Sequence, residues 1–292
     1  MGPVKMLALA GATALVGTAA VAADFPSAPP PLMPQVVQAP PVDTGGWYLR
    51  GDVGVGIQRF SDFSHHQTNP DFVWPASWRI DQRTIADTTL IGFGVGFAWN
   101  SWLRFDVTAE HRASAKFKVL GSFTEFCPFG ARCFDMFDGF HSANVFLANA
   151  YLDLGTWWCV TPFIGGGIGT ANNRFDSITD IGFIADGSTG FGFSSVNSST
   201  WNLAWAAHAG LAYTVTPNFK VEFAYRFLSL GSPNTQVVDC NSIGCMNTGG
   251  PRASFTLNNF TSQDFKIGMR WMLQPEQVVP APVYAPPLMR RG

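Results

Sequence analysis

Charged residues in this 292-residue chain recur two positions apart: Arg50 with Asp52, Arg104 with Asp106, Glu110 with Arg112, Lys220 with Glu222, and Asp264, Lys266 and Arg270 in one run. Asp153 and Arg226 sit in segments of the same kind. Two-residue spacing places such side chains on one face of a strand. The set holds seven cations (Arg50, Arg104, Arg112, Lys220, Arg226, Lys266, Arg270) against six anions (Asp52, Asp106, Glu110, Asp153, Glu222, Asp264). Gathered in a narrow interior, so balanced a set pairs across the space; more loosely arranged, it lines a path for ions or small solutes. A second candidate is Glu110-His111 with His141-Ser142. An acid, two histidines and a serine suit lipid-modifying acyl chemistry where nucleophile, base and orienting group meet.

Other candidates are structural. The glycine runs at 92–96 and 165–169 lie inside strand-like segments with no following helix, so they serve close packing and bending, not phosphate binding. Cys127 with Cys133, and Cys240 with Cys245, each close a tight loop, which in an exported chain reads as a local disulfide. Zinc would require pairs at shorter spacing meeting in space, and no histidine flanks them. Cys159 is left over. No metal and no cofactor are expected, and a net charge of −2 offers no reason for a nucleic-acid partner.

The charges are carried by eight two-faced segments: Trp47 to Gln58, Asp87 to Trp99, Trp102 to Arg112, Ser142 to Leu154, Thr161 to Asn172, Thr200 to Val215, Phe219 to Leu228 and Asn259 to Leu273. Alternation sets Phe105 and Val107 against Arg104 and Asp106, and Phe265, Ile267, Met269 and Trp271 against Asp264, Lys266 and Arg270. The facing of the glycine-dense fifth segment is ambiguous. Short links around Asn100, Trp157 and Thr216 alternate with long ones centred near His65, Pro128, Gly187 and Ser242. Trp47, Trp99, Trp102, Trp157, Trp158 and Trp271 crowd the short-link end. Sorted loops and an aromatic belt fit a membrane barrel, where a charge on the lipid face near the midplane costs roughly 2–4 kcal/mol and therefore points inward. Closure is required because lipid leaves an open strand edge without partners. The expectation is an all-β, eight-stranded antiparallel up-and-down transmembrane β-barrel with short periplasmic turns and four long outer loops.

Composition agrees: 47% of residues are hydrophobic, 14% aromatic and 13% charged, against about 25% charged in soluble domains. Lys5, the apolar stretch Met6 to Val16 and Val21-Ala22-Ala23 read as a secretory signal (residues 1–23) cleaved after Ala23. No later apolar run is long enough for a spanning helix. Residues 24–44 form a proline-rich periplasmic linker, 45–273 the barrel and 274–292 a proline-rich periplasmic tail. Such tails favour extended polyproline conformations, as flexible spacers or as docking segments for the cell wall or a periplasmic partner.

Trp47-Tyr48-Leu49-Arg50-Gly51-Asp52-Val53-Gly54, Asn149-Ala150-Tyr151-Leu152-Asp153-Leu154-Gly155 and Pro162-Phe163-Ile164-Gly165-Gly166-Gly167-Ile168-Gly169 resemble the first, fourth and fifth strands of the opacity-protein-like surface antigens of alphaproteobacterial outer membranes. The resemblance covers residues 45–273 and implies an eight-stranded barrel of a family often labelled porin or immunogenic outer-membrane protein. The closing run Lys266-Ile267-Gly268-Met269-Arg270-Trp271-Met272-Leu273 is similar to the signal read by the barrel-assembly machinery, with Lys266, Gly268, Trp271 and Leu273 as its elements, although nineteen residues follow it. Partners implied are outer-membrane lipid and lipopolysaccharide, and the assembly machinery during insertion. The function expected is a structural, envelope and surface-contact role with a charge-filled lumen. The alternatives are a narrow channel or a lipid-modifying enzyme.

Overall fold

The computed structural model describes residues 45–67, 75–125, 127–184, 193–195, 197–240 and 252–273. Eight long strands close a ring. β1 (Trp47–Arg59), β4 (Thr88–Ala98), β5 (Leu103–Phe123), β6 (Cys133–Asp153), β7 (Val160–Ile184), β9 (Ser198–Thr216), β10 (Phe219–Gly231) and β13 (Phe260–Leu273) pair in that order, all antiparallel. β13 returns to β1 with Trp47 opposite Leu273 and Arg59 opposite Thr261. The eight segments read by alternation are these eight strands. The short links join β4 to β5, β6 to β7 and β9 to β10.

Facing follows the expected inversion. Phe93, Val107, Leu203 and Met269 point outward and are exposed, whereas Arg50, Asp106, Glu222 and Asp264 are buried inside. The six tryptophans of the short-turn end are all exposed, forming one rim of the belt. The fifth strand is now assigned: Thr161, Phe163 and Ala171 face inward, and Ile164 and Ile168 outward.

The four long links between ring strands carry further strand. β5, β6 and β7 run far beyond their expected ends, and β2 (Asp62–Gln67), β3 (Arg79–Ile85), β8 (Phe193–Ser195), β11 (Asn234–Cys240) and β12 (Arg252–Asn258) continue the sheet past the belt. β2 pairs β12, β12 pairs β11, β11 pairs β8, β8 pairs β7, and β3 pairs β5. Alternation hides this extension because the faces swap. One extra residue on β5 between Arg112 and Ala115 shifts its register against β6. Odd-numbered Phe105 and Val107 therefore face out, but Phe117 and Val119 face in. β7 makes the same exchange at Ser177, whose φ is +52°, so that Phe175 and then Ile178 point inward. A single inserted residue reverses every later side chain, which is how a chain passes from lipid to water without leaving its sheet.

The interior therefore has two tiers. The short-turn half holds the charges. The outer half holds an apolar core including Phe60, Phe63, Phe117, Phe137, Phe175, Phe255 and Phe260. Phe63 and Phe255 stack at 5.2 Å, and Phe137 lies 4.8 Å from Phe255. Inward glycines make the charged tier possible. A Cβ at Gly56 would collide with the Arg112 guanidinium and sit 2.5 Å from Asp264 Oδ1, and one at Gly96 would collide with the Tyr48 ring.

Two outcomes test this packing. Unboiled protein should migrate differently from boiled protein on a denaturing gel. Gly96→Val should lower the temperature at which the unboiled form is lost, because overpacking costs about 1–3 kcal/mol. An unchanged transition would mean that the Tyr48 side of the lumen is loose.

Candidate functional site

Three layers of charge fill the short-turn half. Deepest are Glu110 and Arg112 of β5, Arg226 of β10, and Asp264 and Lys266 of β13, gathered because β5 lies across the narrow ring from the neighbouring pair β10 and β13. Arg226 Nη2 lies 2.5 Å from Glu110 Oε1 and 2.6 Å from Asp264 Oδ2. Arg112 reaches Asp264 at 2.9 Å and Glu110 at 3.1 Å, and Lys266 reaches Glu110 at 3.2 Å. Ser262 donates to Asp264. Glu110 thus meets three cations, the arrangement that offsets burial of a carboxylate.

Arg50 organises the middle layer. It donates to Asp52 and Asp106 at 2.8 Å each and to the Tyr151 hydroxyl at 2.9 Å. The Tyr48 hydroxyl and Asn149 amide also donate to Asp106. Asp52 further lies 3.5 Å from Lys266, linking the two layers. At the mouth, Arg104 pairs with Asp153 at 3.1 Å and stacks 4.0 Å over Tyr151. Arg270 lies 3.1 Å from Glu222, whose carboxylate also stands 3.6 Å from both Arg50 and Arg104. The ladder sets Arg50, Arg270 and Lys220 side by side across β1, β13 and β10, and Glu222, two residues along β10 from Lys220, lies within reach of Arg50 and Arg270.

Every charge assigned inward from the sequence lies in this lumen. Lys220 departs from the expected pairing, since it makes no ion pair among the described residues and sits half-buried at the edge. Tyr48 was missed, though it precedes Arg50 by two and so shares its parity. The apolar outer tier was missed entirely, for the register reasons given above.

The acid–histidine–serine set does not assemble. Glu110 is inside the network, whereas its neighbour His111 faces out and contacts Asn144. His141 is buried inward against Asn173, and Ser142 takes the opposite face of β6. Cys127 and Cys133 are joined in the β5–β6 link with Cα atoms 6.0 Å apart, and Cys159 is an exposed thiol at a short turn. Cys245, the Cys240 side chain, the cleavage position after Ala23 and both proline-rich tails lie outside the described residues. Of the assembly-signal residues, Lys266 and Gly268 face the lumen while Trp271 and Leu273 are exposed on the outer wall.

Beyond the belt, Asp135 of β6 and Asp180 of β7 face the outer apolar core without a counter-charge among the described residues. Burial pushes the Asp135 carboxyl up to about 6 and raises Asp180 as well, with Asp135 adding to it. Asp180 Oδ1 has no hydrogen-bond partner among the described residues.

A family model for the outer membrane protein beta-barrel domain matches residues 10–248, and the chain belongs to that family. It is an outer-membrane β-barrel protein. An uncharacterized protein of Brucella abortus is 27% identical over 248 residues, covering 77% of this chain and 84% of its own. A Rickettsia prowazekii protein provisionally named an adhesin is 25% identical over 227 residues, covering 77% and 86%. Among solved structures, Neisserial surface protein A is similar at a TM-score of 0.40 and 16% identity, covering 78% of this chain and 97% of its own.

The acid pair gives a pH dependence of definite sign. Because the folded carboxyls bind protons more tightly than the unfolded ones, which titrate near 4, the pair's contribution to stability falls as pH rises from about 4 through about 6 and beyond. Asp180→Asn should therefore raise the unfolding temperature more at pH 8 than at pH 5. An equal or larger gain at pH 5 would show that the pair is not the cause.

Proposed function

We propose that this protein is a closed surface and envelope barrel, built to present its outer extension and not to conduct. The observation that carries the reading is the filling of the lumen by two unlike materials in series. An eight-stranded ring is just wide enough for side chains to occupy its interior. Here the inner half is occupied by buried ion pairs and the outer half by a phenylalanine-rich core. The strands that run past the belt support the contact role, as does the name given to the Rickettsia relative.

Insertion would proceed through the assembly machinery reading the last strand, where Trp271 and Leu273 stand exposed beside the turns. The outward belt fits outer-membrane lipid and lipopolysaccharide, and the proline tails would reach the cell wall or a periplasmic partner. Trp271→Asp should block insertion, whereas removal of residues 275–292 should leave it intact; loss of assembly on tail removal alone would relocate the signal.

Planar-bilayer recording on refolded protein tests closure. Wild-type protein should give no steady conductance. Asp52→Ala with Glu222→Ala should destabilise the barrel by several kcal/mol, since removing one partner of a buried pair costs about 3–5 kcal/mol. The double variant should nonetheless stay closed, because the outer core remains. Large, stable channels from the monomeric wild type would instead establish the porin reading.

A further inference from the structure

We propose that two carboxylates inside the outer extension, Asp135 of β6 and Asp180 of β7, form a binding site for a guanidinium group brought from outside. The inference goes beyond the closed-barrel reading and does not depend on it.

Register brings the two acids together. Phe137 is the ladder partner of Asp180, and Gly182 that of Asp135. Asp135 and Phe137 are two apart on β6, so Asp135 and Asp180 are diagonal neighbours on one inward face. Such diagonal pairs lie roughly 7–8 Å apart, a span that one planar guanidinium can bridge with its fork of donors. Asp135, the nearer to the outer end, is half-buried, whereas Asp180 is only 3% exposed, so the pair is reached from the outer side.

The second observation is a missing partner. Asp52, Asp106, Glu110, Glu222 and Asp264 are all buried, and each contacts a cation. Asp180 is as deeply buried, yet among the described residues it makes no ion pair and its Oδ1 has no hydrogen-bond partner. The charge that acts on it is that of Asp135, which has the same sign. A buried carboxylate is stabilised by a paired, hydrogen-bonding cation, and this one lacks it.

The third observation selects the cation. Phe137 is buried beside Asp180, and the Trp78 indole covers Gly121, the β5 ladder partner of Asp135, where a Cβ would stand 2.6 Å from the ring. Acids set against aromatic faces are what this protein already uses to hold a guanidinium. Arg104 lies 4.0 Å over Tyr151 and 4.7 Å over Phe163 while pairing with Asp153 at 3.1 Å. The outer site repeats the acids and the rings of that arrangement without the arginine. Calcium fits less well, because it takes roughly six to eight oxygen ligands and no third acid, histidine or cysteine joins the pair among the described residues. An ammonium is a compact, strongly hydrated point charge and lacks the planar fork.

The test uses the full-length protein in lipid nanodiscs and titration calorimetry. The probes are N-acetyl-arginine amide, a short peptide with arginine at its centre, and the neutral citrulline counterpart of each. At least one arginine probe should bind, and the citrulline counterparts should not. Binding of the peptide alone places the guanidinium on a partner protein, and equal binding of both marks a small ligand; either supports the site. Asp180→Asn and Asp135→Asn, which keep side-chain shape, should each weaken binding about tenfold or more. Asp138→Asn, on the outward face of β6 beside Lys116, should not. A difference in migration between unboiled and boiled samples checks that each variant is folded, and the citrulline comparison on the wild type stands without any variant. Equal binding of arginine and citrulline forms would overturn the proposal, as would binding that survives both aspartate changes or displacement by an equal concentration of calcium. Binding of neither arginine probe would also overturn it, leaving the acids as a proton-holding pair. Bilayer conductance is independent of these readouts, so failure here is separable from failure of closure.

Discussion

Lipid offers a backbone no hydrogen-bond partner, so the strands must close on themselves. The rest of the molecule follows from that closure. Eight strands enclose a space that side chains alone can fill, and the outward face is claimed by Phe93, Val107, Leu203 and Met269. Whatever polarity the sequence carries on these strands has to go inward. The choice is then between solvating the charges and pairing them. In this lumen they are paired, Arg226 between Glu110 and Asp264 and Arg50 between Asp52 and Asp106. Glycines such as Gly56 and Gly96 yield the room that the long guanidinium and phenol groups occupy.

Above the belt the constraint reverses, because water now bathes the outside. The chain responds with a register change in place of a new fold. The extra residue of β5 after Arg112 and the left-handed Ser177 of β7 turn apolar side chains from the wall to the interior. One continuous sheet thereby serves as an inside-out barrel below and an ordinary apolar-cored one above. The boundary is also where the two fillings meet: His141 contacts Phe260 at 4.6 Å on one side, and Arg112 of the network lies next on the other.

These features set what could be read from the chain alone. The belt portions of all eight strands were legible, since a strict period of two persists from Trp47 to Gln58 and from Phe260 to Leu273. Their closure brought Asp52 and Lys266 together as ring neighbours, as parity and an even strand count require. The extension was illegible for a definite reason: an inserted residue breaks the period where the environment changes, so Phe117 looks lipid-facing by count yet is buried inside. β2, β3 and β8 are also too short to announce themselves among serine, asparagine and glycine. The acid–histidine–serine set failed for a different reason, because neighbours in sequence such as Glu110 and His111 occupy opposite faces of a strand.

The account stands on the lumen being closed to water by its own side chains, and thiol accessibility measures that directly. Thr108 lies in the middle of the lumen, held by the Asn149 amide, and the native Cys159 is exposed at a short turn as an internal reference. With Thr108→Cys in detergent or nanodiscs, a small charged thiol reagent should modify Cys159 promptly and leave position 108 unreacted until the barrel is unfolded. Modification of position 108 at a rate comparable to Cys159 in the folded protein would contradict the account.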